Sequence, residues 1–214
     1  MAHDLERTRA LVKQARAMRT RDQVLDAAAE EFALHGYAGT NLATVAVRTG
    51  MTKGALYGHF PSKKALADEL VSQSTETWNT IGRSIAETAC APETALRALV
   101  LAVSRQMKHD IRFRAALRLA ADCTMPAGGA PDLLDRIRRE MAAAARDTQQ
   151  QQAPYSPLAT QPPDVVVHLL LTVAYGLSFA AERGAPGRSP ATTDKVWELL
   201  LTALQLEDIS TCHN

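Results

Sequence analysis

The stretch NLATVAVRTGMTKGALYGHF, residues 41–60, decides how this chain folds. Leu42, Val45, Ala46, Met51, Leu56 and Phe60 are its apolar positions, spaced as a helix, a glycine turn and a second helix. Ala46 offers a small residue where two helices cross, Gly50 can take the positive φ of the turn, and Met51 fills the angle between the helices. The first helix, 41–49, is entered through Thr40 or Asn41. Thr52 is placed to cap the second, which ends near His59. Its two glycines each cost a helix about 1 kcal/mol relative to alanine. Propensity alone therefore does not explain this segment. In a helix-turn-helix the second helix enters the DNA major groove with its N-terminal residues at base edges. Those residues are Lys53, Gly54 and Ala55: Lys53 can donate to guanine O6 and N7, and Gly54 permits close approach. Tyr57 can reach a phosphate or sugar edge. His59 and Lys63 lie where the backbone would pass, beside the N–H groups that open the next helix.

The rest of the 214-residue chain reads as helices divided by breakers. A first helix fits 8–35, with Val24, Leu25, Ala28, Phe32 and Leu34 on one face and Gly36 as its C-terminal cap. Ser62 caps a long helix to about Glu87. Others follow at Pro92–His109, Asp110–Ala121, Pro131–Gln149, Asp164–Arg183 and Ala191–Leu206, with polar, proline-rich connections at 122–131 and 149–163. No segment has strand periodicity, so the fold class is all-α with about nine helices. Aromatics make up only 5% of residues while hydrophobic residues reach 46%, much of that alanine, which favours closely packed helices.

The formal net charge of +1 conceals an asymmetry: residues 1–64 carry ten basic against six acidic side chains, and the remainder is net acidic. A polyanionic partner is therefore expected for the first part only. The leader RTRALVKQARAMRTR, 7–21, has six basic residues and no acid; it reads either as a solubilising tail or as an arm that tracks phosphates, in a minor groove for example. Cys90, Cys123 and Cys212 form neither a metal pattern nor a disulfide framework, so reduced thiols and a cytoplasmic location are expected. The apolar run 165–181 contains His168, Thr172, Tyr175 and Ser178 and is expected to be a buried helix, not a membrane span. Phosphate-binding glycine loops, zinc-protease and serine-nucleophile motifs are absent; no enzyme, metal or cofactor is expected.

The block 20–70, TRDQVLDAAAEEFALHGYAGTNLATVAVRTGMTKGALYGHFPSKKALADEL, resembles the DNA-binding domain of the tetracycline-repressor (TetR) family of transcriptional regulators. The resemblance rests on Val24, Ala27, Ala28 and Phe32, then Gly36-Tyr37, Thr40, Ala46, Gly50, Leu56-Tyr57, His59-Phe60, Lys63 and Leu66. It implies phosphate contacts from Thr40, Tyr57, His59 and Lys63 and base contacts from Lys53 and Gly54, with Thr52 in the same set. The chain departs from the pattern at Gly58, where relatives often carry an aromatic. Plainer roles stand beside these: Tyr37, Leu56 and Phe60 as core or interface residues, His59 as a packing residue, Lys64 as a solvated charge.

The resemblance also implies a division into residues 1–66, basic arm and DNA-binding domain, and 67–210, a larger helical ligand-binding and dimerisation domain. RFRAALRLAAD (112–122) and TKGALYGHF look like the γ-butyrolactone-receptor branch, which answers lactone, butenolide or furan signals and controls secondary metabolism, including antibiotic biosynthesis. Many of those relatives carry a tryptophan where this chain has Leu133 and Leu134. Polar residues on apolar helices must be hydrogen-bonded or face a cavity. Gln73, Trp78, Ile81, Gln106, Met107, Arg118, Leu134, His168, Thr172 and Tyr175, with Ser178, are the candidate pocket set. The expected function is a homodimeric repressor that binds palindromic operator DNA and is released by a small-molecule effector. The alternatives are an effector-independent architectural DNA-binding protein, a regulator of efflux or detoxification answering another hydrophobic ligand, and a small-molecule enzyme with a vestigial DNA-binding head.

Overall fold

The computed structural model describes residues 2–88, 91–122, 124–125, 133–151, 160–182, 190–204 and 206. Among them the chain forms helices and no strand: α1 Ala2–Gly39, α2 Leu42–Arg48, α3 Lys53–His59, α4 Lys63–Thr88, α5 Pro92–His109, α6 Ile111–Ala120, α7 Leu133–Gln151, α8 Pro163–Glu182 and α9 Pro190–Ala203. The all-α expectation holds and most helix limits fall within a few residues of those read from sequence. The three cysteines lie outside the described residues, as do connections 152–159 and 183–189. No helix among the described residues is long and apolar enough to cross a membrane.

The chain divides into two compact units that are not consecutive in sequence. One comprises 1–74 with 111–131, the other 75–110 with 132–214. The single cut expected at 66/67 misses that α6 packs on α1. In the first unit Val24, Leu25, Ala28, Ala29 and Phe32 of α1 are fully buried, as are Phe113, Ala116 and Leu117 of α6. Leu34, expected on the same face as Phe32, is 51% exposed. Two residues turn a helix through about 200°, which puts it on the far side.

α1 does not simply stop at Gly36. The chain kinks there, with φ 68° and ψ −174°, and makes one more turn to Gly39. The corner is held by groups distant in sequence. Asp122 Oδ2 accepts the Tyr37 N–H at 2.7 Å. Arg118 donates to the carbonyls of Ala33 (2.7 Å) and Leu34 (3.2 Å). The Thr40 hydroxyl donates to Gly36 O at 2.7 Å. A polar ladder joins α1, α4 and α6 further up. Arg21 pairs with Glu69 at 3.0 Å, Gln73 donates to Glu69 at 2.7 Å, and Arg112 donates to Gln73 at 3.2 Å and pairs with Asp26 at 2.6 Å.

In the second unit α5 packs on α7 and α8. Leu96, Val100, Val103 and Met107 of α5 meet Leu133, Ile137, Met141 and Ala145 of α7, all of them buried. α5 has Pro92 at its start, Glu93 in its first turn and Lys108 and His109 in its last, an arrangement that suits the helix dipole. Trp197 of α9 donates to Ser104 Oγ at 2.7 Å.

A side chain at Gly36 would be strained at its positive φ, and its Cβ would lie 2.9 Å from Asp122 Oδ2. Gly36→Ala is expected to destabilise the protein by about 1–3 kcal/mol, read by urea denaturation. Glu69, hydrogen-bonded by Arg21, and Asp122, hydrogen-bonded by Thr124, are held below the ordinary carboxyl values of 4.5 and 3.8. A lowered folded pKa stabilises the ionised form, so this stabilisation is complete above those values and lost as pH falls through the lower folded ones. The melting temperature is expected to drop between about pH 5 and pH 3, and Glu69→Gln to make that drop shallower.

Candidate nucleic-acid interface

Residues 41–60 are built from their own caps. Asn41 Oδ1 accepts the Ala43 N–H at 2.9 Å and opens α2. At the other end Gly50 has φ 66°, Met51 N–H bonds to Ala46 O at 2.9 Å and Gly50 N–H to Val47 O at 3.1 Å. This pair of bonds is a Schellman motif, which needs a left-handed residue where Gly50 stands. Thr52 Oγ1 then accepts the Ala55 N–H at 3.2 Å and opens α3. Arg48 at the end of α2 pairs with Glu30 and Glu31 of α1, fixing the helix pair to the long helix.

α3 has a strict inside and outside. Leu56 and Phe60, one turn apart, are 0% and 2% exposed. At about 100° per residue, Gly58 points almost directly away from that buried pair and Gly54 lies beside it. Nothing lies within 4 Å of where a Cβ would sit on either glycine. The outermost face of α3 is thus a bare ridge of Gly54, Ala55 and Gly58. Lys53 and Tyr57 flank it on one side, exposed, with Tyr57 at 43%; half-buried His59 lies on the other.

Two of the expected phosphate contacts are committed inside the protein. Thr40 is buried, its hydroxyl spent on Gly36 O. Lys63 Nζ donates to Thr40 O at 2.7 Å and Ala38 O at 3.2 Å and lies 4.9 Å from the centre of the Tyr37 ring. Burial pushes its pKa down while Asp122 pulls it back up. A phosphate contact from Lys63 requires giving up one of these bonds. Tyr37 stacks on Phe32, centroids 6.2 Å apart, in keeping with the plainer core role. Lys64 pairs with Asp68 at 2.8 Å. Thr52, Lys53, Gly54, Tyr57 and His59 do fall on one short helix and its cap.

The residues expected to line a pocket are dispersed. Gln73 and Arg118 belong to the first unit and are engaged in the ladder and the corner described above. Trp78 is fully buried, with Nε1 donating to Glu140 Oε2 at 2.7 Å. Met107 and Leu134 are core residues; Ile81, Gln106 and Tyr175 are half-buried. His168 and Thr172 are exposed on α8, opposite the buried Val167, Leu170, Leu171 and Ala174. A hollow of about 260 Å³ in the second unit is lined by Arg97, Leu101, Trp197, Leu201 and Leu206 among others, and by none of the expected set. The corner residues Asp122 and Arg118 were not readable as such, because their partners lie some 85 positions away.

Residues 24–70 match the family described as bacterial regulatory proteins, tetR family. The regulator TtgR of Pseudomonas putida is 36% identical over 99 residues, 46% of this chain and 47% of TtgR. The A-factor receptor protein of Streptomyces griseus is 42% identical over 67 residues, 31% of this chain and 24% of the receptor. The chain thus spans about half, or less, of the length of these curated relatives. The TetR family protein CprB from Streptomyces coelicolor, solved in complex with its biological operator sequence, superposes with a TM-score of 0.69 at 24% identity. That superposition covers 91% of this chain and 100% of CprB. With α2, the glycine turn and α3 all inside the matched segment, the chain belongs to the tetR family of bacterial regulatory proteins.

Proposed function

We propose that the chain is a ligand-responsive transcriptional repressor that binds palindromic operator DNA as a homodimer. The observation that carries this is the outer face of α3, a bare ridge flanked by Lys53 and Tyr57 on a helix anchored by Leu56 and Phe60. Without side chains on the ridge the helix axis can sink toward the base edges, where Lys53 donates to a guanine and Tyr57 to a phosphate. Gly58 fits this role: it lengthens the ridge by a turn. Residues 1–66 are assigned to DNA and 67–210 to effector binding and dimerisation. One short helix binds weakly, whereas two heads held about 34 Å apart read both half-sites. An effector that favours another separation releases the DNA. The likeness to the A-factor receptor, with the RFRAALRLAAD segment, supports a lactone, butenolide or furan signal and a role in secondary metabolism.

Lys53→Ala and Tyr57→Ala are each expected to weaken binding to a duplex selected from a random pool by about tenfold or more, with unchanged sedimentation. Equal affinity in both variants would overturn the assignment of α3 as the reading helix. Gly54→Ala and Gly58→Ala meet no neighbour, so each is expected to stabilise the protein by up to about 1 kcal/mol in urea denaturation. The same substitutions are expected to raise the dissociation constant, because each puts a methyl group on the ridge.

A further inference from the structure

The basic leader is part of α1, continuous with the head. Of its six basic residues, Arg21 is engaged: it pairs with Glu69 and lies 4.5 Å from the centre of the Phe60 ring. Phe60 is the C-cap of α3, so the arm leaves the head beside the end of the reading helix. Among the described residues no ion pair engages the side chains of Arg7, Arg9, Lys13, Arg16 or Arg19, and all five are exposed. Arg9, Lys13 and Arg16 follow an i, i+4, i+7 pattern and share one face. With Thr8 and Val12 they line a shallow hollow of about 260 Å³.

Five uncompensated cations along about 18 Å of helix repel one another, a cost that a polyanion removes. A second copy of the arm would add like charges, and the exposed apolar stripe of Leu11 and Met18 is too narrow to offset them. We infer that residues 7–19 form a helical arm lying along the sugar–phosphate backbone, outside the base pairs read by α3, with Arg9, Lys13 and Arg16 as phosphate contacts. The inference rests on the DNA-binding reading above. The arm covers about five base pairs at 3.4 Å each.

The test compares the full chain with Arg9→Gln/Lys13→Gln/Arg16→Gln on two probes: a 40-base-pair duplex, selected by the full chain from a random pool, and poly(dA-dT). Three lost phosphate contacts are expected to reduce the slope of log K against log[salt] by about 2.7. The footprint should shorten by about five base pairs on each side, and the selected sequence should not change. Arg9→Lys/Arg16→Lys should restore the slope. If the triple variant keeps the full-chain slope and footprint, the arm is idle and the inference falls while the DNA-binding reading stands. A changed sedimentation coefficient at unchanged slope would make the stripe a contact between copies and also overturn it. If the full chain binds neither probe, both the arm and the reading fail.

Discussion

The Asp122 carboxylate that accepts the Tyr37 N–H is the interaction on which the first unit depends. Gly36 turns the chain out of α1, and a turn of this kind leaves backbone groups with no helical partner. Asp122 takes one of them, and Arg118, one turn earlier on α6, takes the carbonyls of Ala33 and Leu34. Thr40 and Lys63 close the corner from the other side. The start of α2, and through it the Gly50 turn and α3, is therefore positioned by side chains from the end of α6. This is why 111–131 belongs to the same compact unit as 1–74. Thr40 and Lys63 show the cost of this arrangement for function, since each is spent inside before it can meet a phosphate.

Local features were legible in the sequence because their physics is local. Asn41, Thr52 and Ser62 cap the helices that follow them within three residues, and Gly50 occupies the left-handed position its turn demands. Gly36 was legible as a breaker for the same reason. What holds it was not, because Asp122 and Arg118 are adjacent to it only after folding. Leu34 failed for a simpler reason: apolar identity does not establish which side of a helix a residue occupies.

The DNA-facing candidates survived better than the pocket candidates, and the difference lies in what each reading assumed. Lys53, Gly54 and Tyr57 were placed by the geometry of a seven-residue helix whose inner face was fixed by Leu56 and Phe60. The pocket set assumed that polar groups on apolar helices face one shared space. The structure satisfies several of them one by one instead: Gln73 by Glu69 and Arg112, Arg118 by the Gly36 corner, Trp78 by Glu140. A hydrogen-bonded partner and a ligand satisfy a buried polar group equally well, and no periodicity separates the two.

The ridge on α3 reconciles poor helix propensity with a well-defined helix. Intrinsic preference disfavours a seven-residue helix with two glycines. Its stability comes from outside: the Thr52 cap, the Leu56 and Phe60 side chains buried in the first unit, and the Arg21 cation stacked on Phe60. These supports all lie on the inner face or at the ends, so none depends on what the outer face carries. The outer face is therefore free to remain bare. The two positions that look like defects in the sequence, Gly54 and Gly58, are the ones where the fold leaves most space for a duplex.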